Sequence, residues 1–159
     1  MTPQHFTDLD HELAVGSAPT SAEEIEGLAA AGVRAVVNLQ SDADLRARGL
    51  HWPTLWQLYT RAGIEVTRVP IVDFDRKDLG RRLDDAVAAV QAHLEAGRKV
   101  YVHCSAGLNR SPTTVIATLV VRQGWDLRRA TRWLTERHEA APYPRVLEAW
   151  AKRHGYPMG

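Results

Sequence analysis

One passage constrains this chain more than any other: Lys99-Val-Tyr-Val-His103, then Cys104-Ser-Ala-Gly-Leu-Asn-Arg-Ser111, then Pro112 and a helical repeat. Lys99 to His103 reads as a buried strand. Pro112 to Gln123 carries Val115, Leu119 and Val120 at helical spacing, with Gly124 beyond as a stop. A strand must therefore pass into a helix through a short loop. Such a loop covers the helix N-terminus, where backbone N–H groups lack partners and the dipole is positive. It can aim several N–H groups at one tetrahedral anion.

The side chains in this loop suggest chemistry as well as binding. Gly107 lets the backbone bend closely, and Pro112 suits a first helical turn. Cys104 lies at the floor, where the same dipole and N–H groups stabilise a thiolate nucleophile. Arg110 offers a planar fork for two phosphate oxygens. Ser111 can donate its hydroxyl to the sulfur when a thiolate departs. His103 is expected to order the loop rather than carry a proton. Ser105, Ala106, Leu108 and Asn109 complete the cradle through their backbone. A buried cysteine alone is usually an inert small hydrophobe; Gly107, Arg110 and Ser111 at these spacings argue otherwise. The Gly-Lys-Ser/Thr ending of a Walker loop is absent, and one Cys beside one His gives no zinc ligand set.

Elsewhere strands and helices alternate. Leu13–Gly16 reads as a strand. Thr20-Ser21-Ala-Glu23-Glu24 holds two overlapping capping boxes, so a helix should follow with Ile25, Leu28 and Ala29 inward and Gly32 as its stop. Val33–Leu39 reads as a buried strand. His51-Trp52-Pro53 opens a helix with Pro53 at its first position and Leu55, Leu58 and Tyr59 inward. Ile64–Val69 alternates like a strand, and Pro70–Asp78 is read as a loop. Leu83, Val87, Val90 and Leu94 form a helical stripe ended by Gly97. Asp126 caps a further helix, and Pro144–His154 is the last. The pattern implies an α/β domain, with a central, mostly parallel sheet flanked by helices.

Net charge is +1, so no global field gathers nucleic acid or membranes, and no basic stripe with interleaved aromatics is present. One cysteine allows no internal disulfide, which fits a reducing compartment. Met1–Asp10 lacks an apolar signal core, and Val115–Val121 is too short for a bilayer. A cytoplasmic protein without a membrane partner is expected.

Release of an alkoxide from a phosphate ester needs a proton donor. The loop Pro70-Ile-Val-Asp73-Phe74-Asp75 is its best source, and spacing leaves Asp73 and Asp75 equal. Most loop carboxylates are solvated turn residues.

The run from Cys104 to Ser111 resembles that of the protein tyrosine phosphatase superfamily, and the short chain resembles its dual-specificity branch. Leu13-Ala-Val-Gly-Ser-Ala-Pro19, Val37-Asn-Leu-Gln40, Asp73-Phe-Asp75, Tyr101–Leu108 and Gly124-Trp-Asp-Leu127 are most similar to the glucan phosphatases. The resemblance implies a single catalytic domain over residues 1–159, a protein tyrosine phosphatase-like fold, no metal or other cofactor, and a phosphocysteine intermediate. It implies Asp73 as the acid and Phe74 as a contact for a sugar ring, with Trp52, Trp56 and Trp133 as further candidates that aromatic burial alone also explains. The substrate implied is a phosphorylated glucan or a phosphorylated protein (phosphotyrosine, phosphoserine or phosphothreonine). Asn109 departs from the glucan enzymes, which usually place Gly there. Asn at that position also occurs in RNA 5′-phosphatases, but those continue Arg-Thr-Gly where this chain has Arg110-Ser111-Pro112. Asn109 either faces the substrate or ties the loop together. A pseudophosphatase that only holds phosphate is the remaining alternative, and the presence of Cys104, Arg110 and Asp73 together argues against it.

Overall fold

The computed structural model describes all residues 1–159. Its strands are β1 (Phe6–Asp8), β2 (Leu13–Gly16), β3 (Ala35–Asn38), β4 (Glu65–Arg68) and β5 (Val100–His103), in the sheet order β1-β2-β5-β3-β4. Only the β1–β2 pair is antiparallel. The helices are α1 (Ala22–Ala30), α2 (Asp42–Ala47), α3 (Trp52–Arg61), α4 (Arg76–Glu95), α5 (Arg110–Gln123), α6 (Leu127–Thr135) and α7 (Pro144–His154).

Period-two alternation sorts each strand's side chains between two cores. Leu13, Val15, Ala35, Val37, Val100 and Val102 face the larger core, built with α4, α5, α6 and α7. Ala14, Val36 and Tyr101 face the smaller, filled by Ile25 and Leu28 of α1 and Leu55 and Tyr59 of α3. Both faces are covered, which is why β2, β3 and β5 are buried at every residue. Helix α5 is buried continuously from Arg110 to Val120. Its Thr114 and Thr118 hydroxyls bond back to the carbonyls of Arg110 and Thr114, so the burial strands no hydroxyl.

Details depart from expectation for local reasons. Ser21, not Thr20, caps α1; Glu24 reaches back past it to the Thr20 N–H at 2.7 Å. Pro53 falls second in α3, behind Trp52. Helix α5 starts at Arg110, so Arg110 and Ser111 are helical and Pro112 sits third. The loop read as Pro70–Asp78 ends at Asp75, whose carboxylate accepts the Asp78 N–H at 2.9 Å and starts α4. β1 and α2 were not foreseen: three and six residues are too few for a periodic signal.

Four parallel strands pointing one way bring their C-terminal ends to one edge, the usual place for a ligand in such sheets. The turns after Gly16, Asn38, Arg68 and His103 meet there.

Candidate active site

The loop leaving β5 closes over the first turn of α5. Cys104 is 2% exposed, and its Sγ lies 3.3 Å from Ser111 Oγ. The Ser111 hydroxyl has one proton and two acceptors in reach, the sulfur and the Gly16 carbonyl at 3.2 Å. Once the sulfur is an anion it is the stronger acceptor. Gly107 has φ +80°, and a Cβ there would stand 2.5 Å from the Gly16 carbonyl carbon. Conformation and space both require glycine.

Four carbonyls around this loop are held by partners outside it or beside it. Leu39 N–H takes His103 O, Ala18 N–H takes Ser105 O, and Ala141 N–H takes Leu108 O, at 2.9, 3.0 and 2.7 Å. His138 Nε2 lies 2.8 Å from Gly107 O. Within the loop, His103 Nδ1 is 3.0 Å from Cys104 O. Burial pushes the His103 imidazole down to about 4, so it is neutral at physiological pH and serves the loop as a hydrogen-bond donor. Asn109 resolves its two readings toward structure: its Nδ2 donates to the Ala141 carbonyl at 2.7 Å.

Arg110 is also 2% exposed. Its Nη1 donates to Asp44 Oδ2 at 2.6 Å and to the Ile71 carbonyl at 2.7 Å, and its Nη2 is 3.3 Å from Asp73 Oδ1. Its Nε is buried with no partner. A guanidinium held at Nη1, with Nε unpartnered, presents a ready donor for an oxyanion.

Asp44 is the residue that sequence reasoning missed. It stands in α2 as half of a capping box with Ser41, and Ser-x-x-Asp was the signal available. Burial raises its pKa, but the Arg110 and Ser41 hydrogen bonds outweigh that and hold it below the usual carboxylate range. Asp73 and Asp75, equal by spacing, separate by geometry. Asp75 is spent as the cap of α4, while Asp73 points to Arg110 and is partly exposed. Asp78 holds the stem of this loop: its buried carboxylate accepts the Val72 N–H at 2.8 Å and pairs with Arg81. These bonds draw its pKa down against burial, the Val72 N–H contributing most. Phe74 follows Asp73 at φ +61° with 78% of its surface exposed. A bulky residue in that conformation is strained, and nothing covers its ring.

The tryptophans do not join this platform. Trp52 stacks under Arg68, Trp56 faces out beside Gly63–Val66 at the opposite ends of the strands, and Trp133 packs on Trp125 and Arg137. Packing against the two cores accounts for Trp52 and Trp133, while Trp56 stays half exposed. Beside the loop opens a cleft of about 490 Å³, lined by Gln4, Thr20, Glu24, Arg48, Glu139 and Leu108 among others.

The C-terminal edge of the sheet thus brings together a buried cysteine, a buried arginine and an aspartate beside that arginine. Residues 13–146 match the family described as dual specificity phosphatase, catalytic domain, and the chain belongs to that family. It is 30% identical to laforin of Mus musculus over 147 residues, covering 86% of this chain and 44% of laforin. It is 27% identical to the chloroplastic phosphoglucan phosphatase LSF1 of Arabidopsis thaliana, covering 92% of this chain and 24% of that protein. The chain thus spans less than half the length of these curated relatives. Among solved structures, Tk-PTP in its active form superposes with a TM-score of 0.78 at 26% identity, over 96% of this chain and 99% of that one. No helix is long and apolar enough to cross a membrane.

Proposed function

We propose that residues 1–159 act as one catalytic domain that hydrolyses phosphate monoesters through a phosphocysteine intermediate. The observation that carries this reading is the buried Arg110 fork, with Nε unpartnered, beside the Cys104–Ser111 pair. The thiolate of Cys104 attacks phosphorus while the ester P–O bond breaks. Arg110 and the loop amides carry the charge on the transferring oxygens. Asp73 gives its proton to the leaving oxygen, then takes one from the water that attacks the phosphocysteine. Ser111 donates to the sulfur as the S–P bond breaks, and orthophosphate leaves.

The substrate we propose is a phosphorylated glucan. The cleft beside the loop is walled mainly by polar groups of both signs, which suit a hydroxyl-rich leaving group. Glu24 and Glu139 disfavour an acidic phosphopeptide there, and the exposed Phe74 ring offers a stacking face for a sugar. LSF1, named a phosphoglucan phosphatase, supports the same reading. The need for a reduced Cys104 fits the cytoplasm.

The test is release of orthophosphate from solubilised phosphoglucan and from phosphotyrosine, phosphoserine and phosphothreonine peptides. Cys104→Ser should abolish release from every ester while leaving phosphate binding intact; substantial residual turnover would remove Cys104 as nucleophile. A clear preference for peptides would retire the glucan reading and leave a protein phosphatase.

A further inference from the structure

The loop works as a cradle only if its N–H groups face inward, and the means of enforcing this is visible in its carbonyls. No peptide in the chain is cis. Across a trans peptide, C=O and the next N–H point to opposite sides. A carbonyl tied outward therefore turns the following N–H inward. Ser105 O, tied to Ala18, aims the Ala106 N–H; Leu108 O, tied to Ala141, aims the Asn109 N–H. At the peptide between Gly107 and Leu108 the glycine has no side chain to fix the backbone. Its carbonyl is held by His138.

His138 is built for one task. It is 2% exposed, and its Nδ1 lies 2.7 Å from Thr7 Oγ1 of β1. The Thr7 hydroxyl can donate to a bare Nδ1, which leaves the proton on Nε2 facing Gly107 O. His5 stacks on the ring at 4.2 Å between centroids, and its own Nε2 lies 2.8 Å from Glu139 O, fastening the residue next to His138. Across the bend from Ser105 to Leu108, the other carbonyls with outside partners are held by the main-chain N–H groups of Ala18 and Ala141. His138 is the one side chain that holds a carbonyl of that bend.

We propose that His138 is a positioning residue: its Nε2–H holds the Gly107–Leu108 peptide so that the Leu108 N–H faces the phosphate. The inference rests on the reading of this loop as a phosphate cradle. It makes the strand β1, which carries no catalytic group, part of the catalytic apparatus through Thr7.

The test compares His138→Phe, which fills the space but cannot donate, with His138→Gln, whose amide can reach the same carbonyl. Orthovanadate and inorganic phosphate binding are measured by calorimetry, and kcat and KM on p-nitrophenyl phosphate beside them. The expected result for His138→Phe is about a tenfold loss of oxyanion affinity, the order of one hydrogen bond, with the Gln variant close to wild type. Equal affinity in wild type and the Phe variant overturns the proposal. Equal losses in both variants overturn it too, since the role would then be packing. Failure of the wild-type protein to bind either anion strikes the cradle reading itself. If the Phe variant does not fold, imidazole ¹⁵N resonances of the wild type decide. A proton on Nε2 and none on Nδ1, kept when vanadate binds, supports the assignment; the opposite tautomer refutes it.

Discussion

Removal of Asp44 should disable Arg110 without touching the nucleophile. The two side chains are 2% and 14% exposed and meet at 2.6 Å. At an effective dielectric of about 20, charges about 4 Å apart attract by roughly 4 kcal/mol. Breaking a buried pair by removing one partner costs about 3–5 kcal/mol. Here Ile71 O at 2.7 Å and Asp73 at 3.3 Å remain as partners, so the cost falls below that range. We expect Asp44→Ala to cost about 2–3 kcal/mol of transition-state stabilisation, roughly 30- to 150-fold in kcat/KM. There is a second signature. Freed from Asp44, the guanidinium settles on Asp73 and draws that side chain away from the leaving oxygen. The variant should therefore slow esters with poor leaving groups, such as phenyl phosphate, more than p-nitrophenyl phosphate. Asp44→Asn, which keeps an acceptor but loses the charge, should fall between. Steady-state kinetics on both esters, inhibition by inorganic phosphate and urea unfolding provide the measurements. A folded Asp44→Ala protein with wild-type kcat/KM and unchanged phosphate inhibition would refute the reasoning.

Asp73→Asn should slow phenyl phosphate far more than p-nitrophenyl phosphate, and equal slowing would remove Asp73 as the acid. Stability should fall as pH drops from about 6.5 toward 4. His103 binds its proton near 6.5 when unfolded and only at about 4 when folded, so the unfolded state gains protons first. The full effect is about 3 kcal/mol from this group; His93 and His138, both lowered chiefly by burial, act in the same direction. Urea midpoints that stay flat across that window would contradict the assignment. Phe74→Gly should leave stability unchanged or raise it by up to about 1 kcal/mol, because the φ of +61° suits glycine. Its turnover of phosphoglucan should fall while p-nitrophenyl phosphate is spared, and a less stable variant would show that the ring packs rather than binds.

The parts of the site that lie within one stretch of chain were open to sequence reading. Cys104, Gly107, Arg110 and Ser111 sit just past a strand, at a bend and at a helix start, each with its own local signal. The buried strands were readable because both their faces are covered, so their apolar runs are unbroken. The groups that steady the site were harder to see. Asp44 and His138 reach Arg110 and Gly107 across 66 and 31 residues of chain. The capping-box spacing of Asp44 marks only a helix start, and nothing local separates His138 from a solvated neighbour such as Glu139. Asp73 lay between these extremes: its loop was recognisable, but the two carboxylates are told apart only by the use of Asp75 as a helix cap and the approach of Asp73 to Arg110.

The pairing of β2 and β3 with β5 has a consequence for how the protein is made. Leu13 and Ala35 both register with Val100, so most of the chain must emerge before the nucleophile's strand has its neighbours. Such long-range closures are slow relative to helix formation. During refolding, far-ultraviolet helicity should recover early, and vanadate affinity should return only with the last cooperative phase.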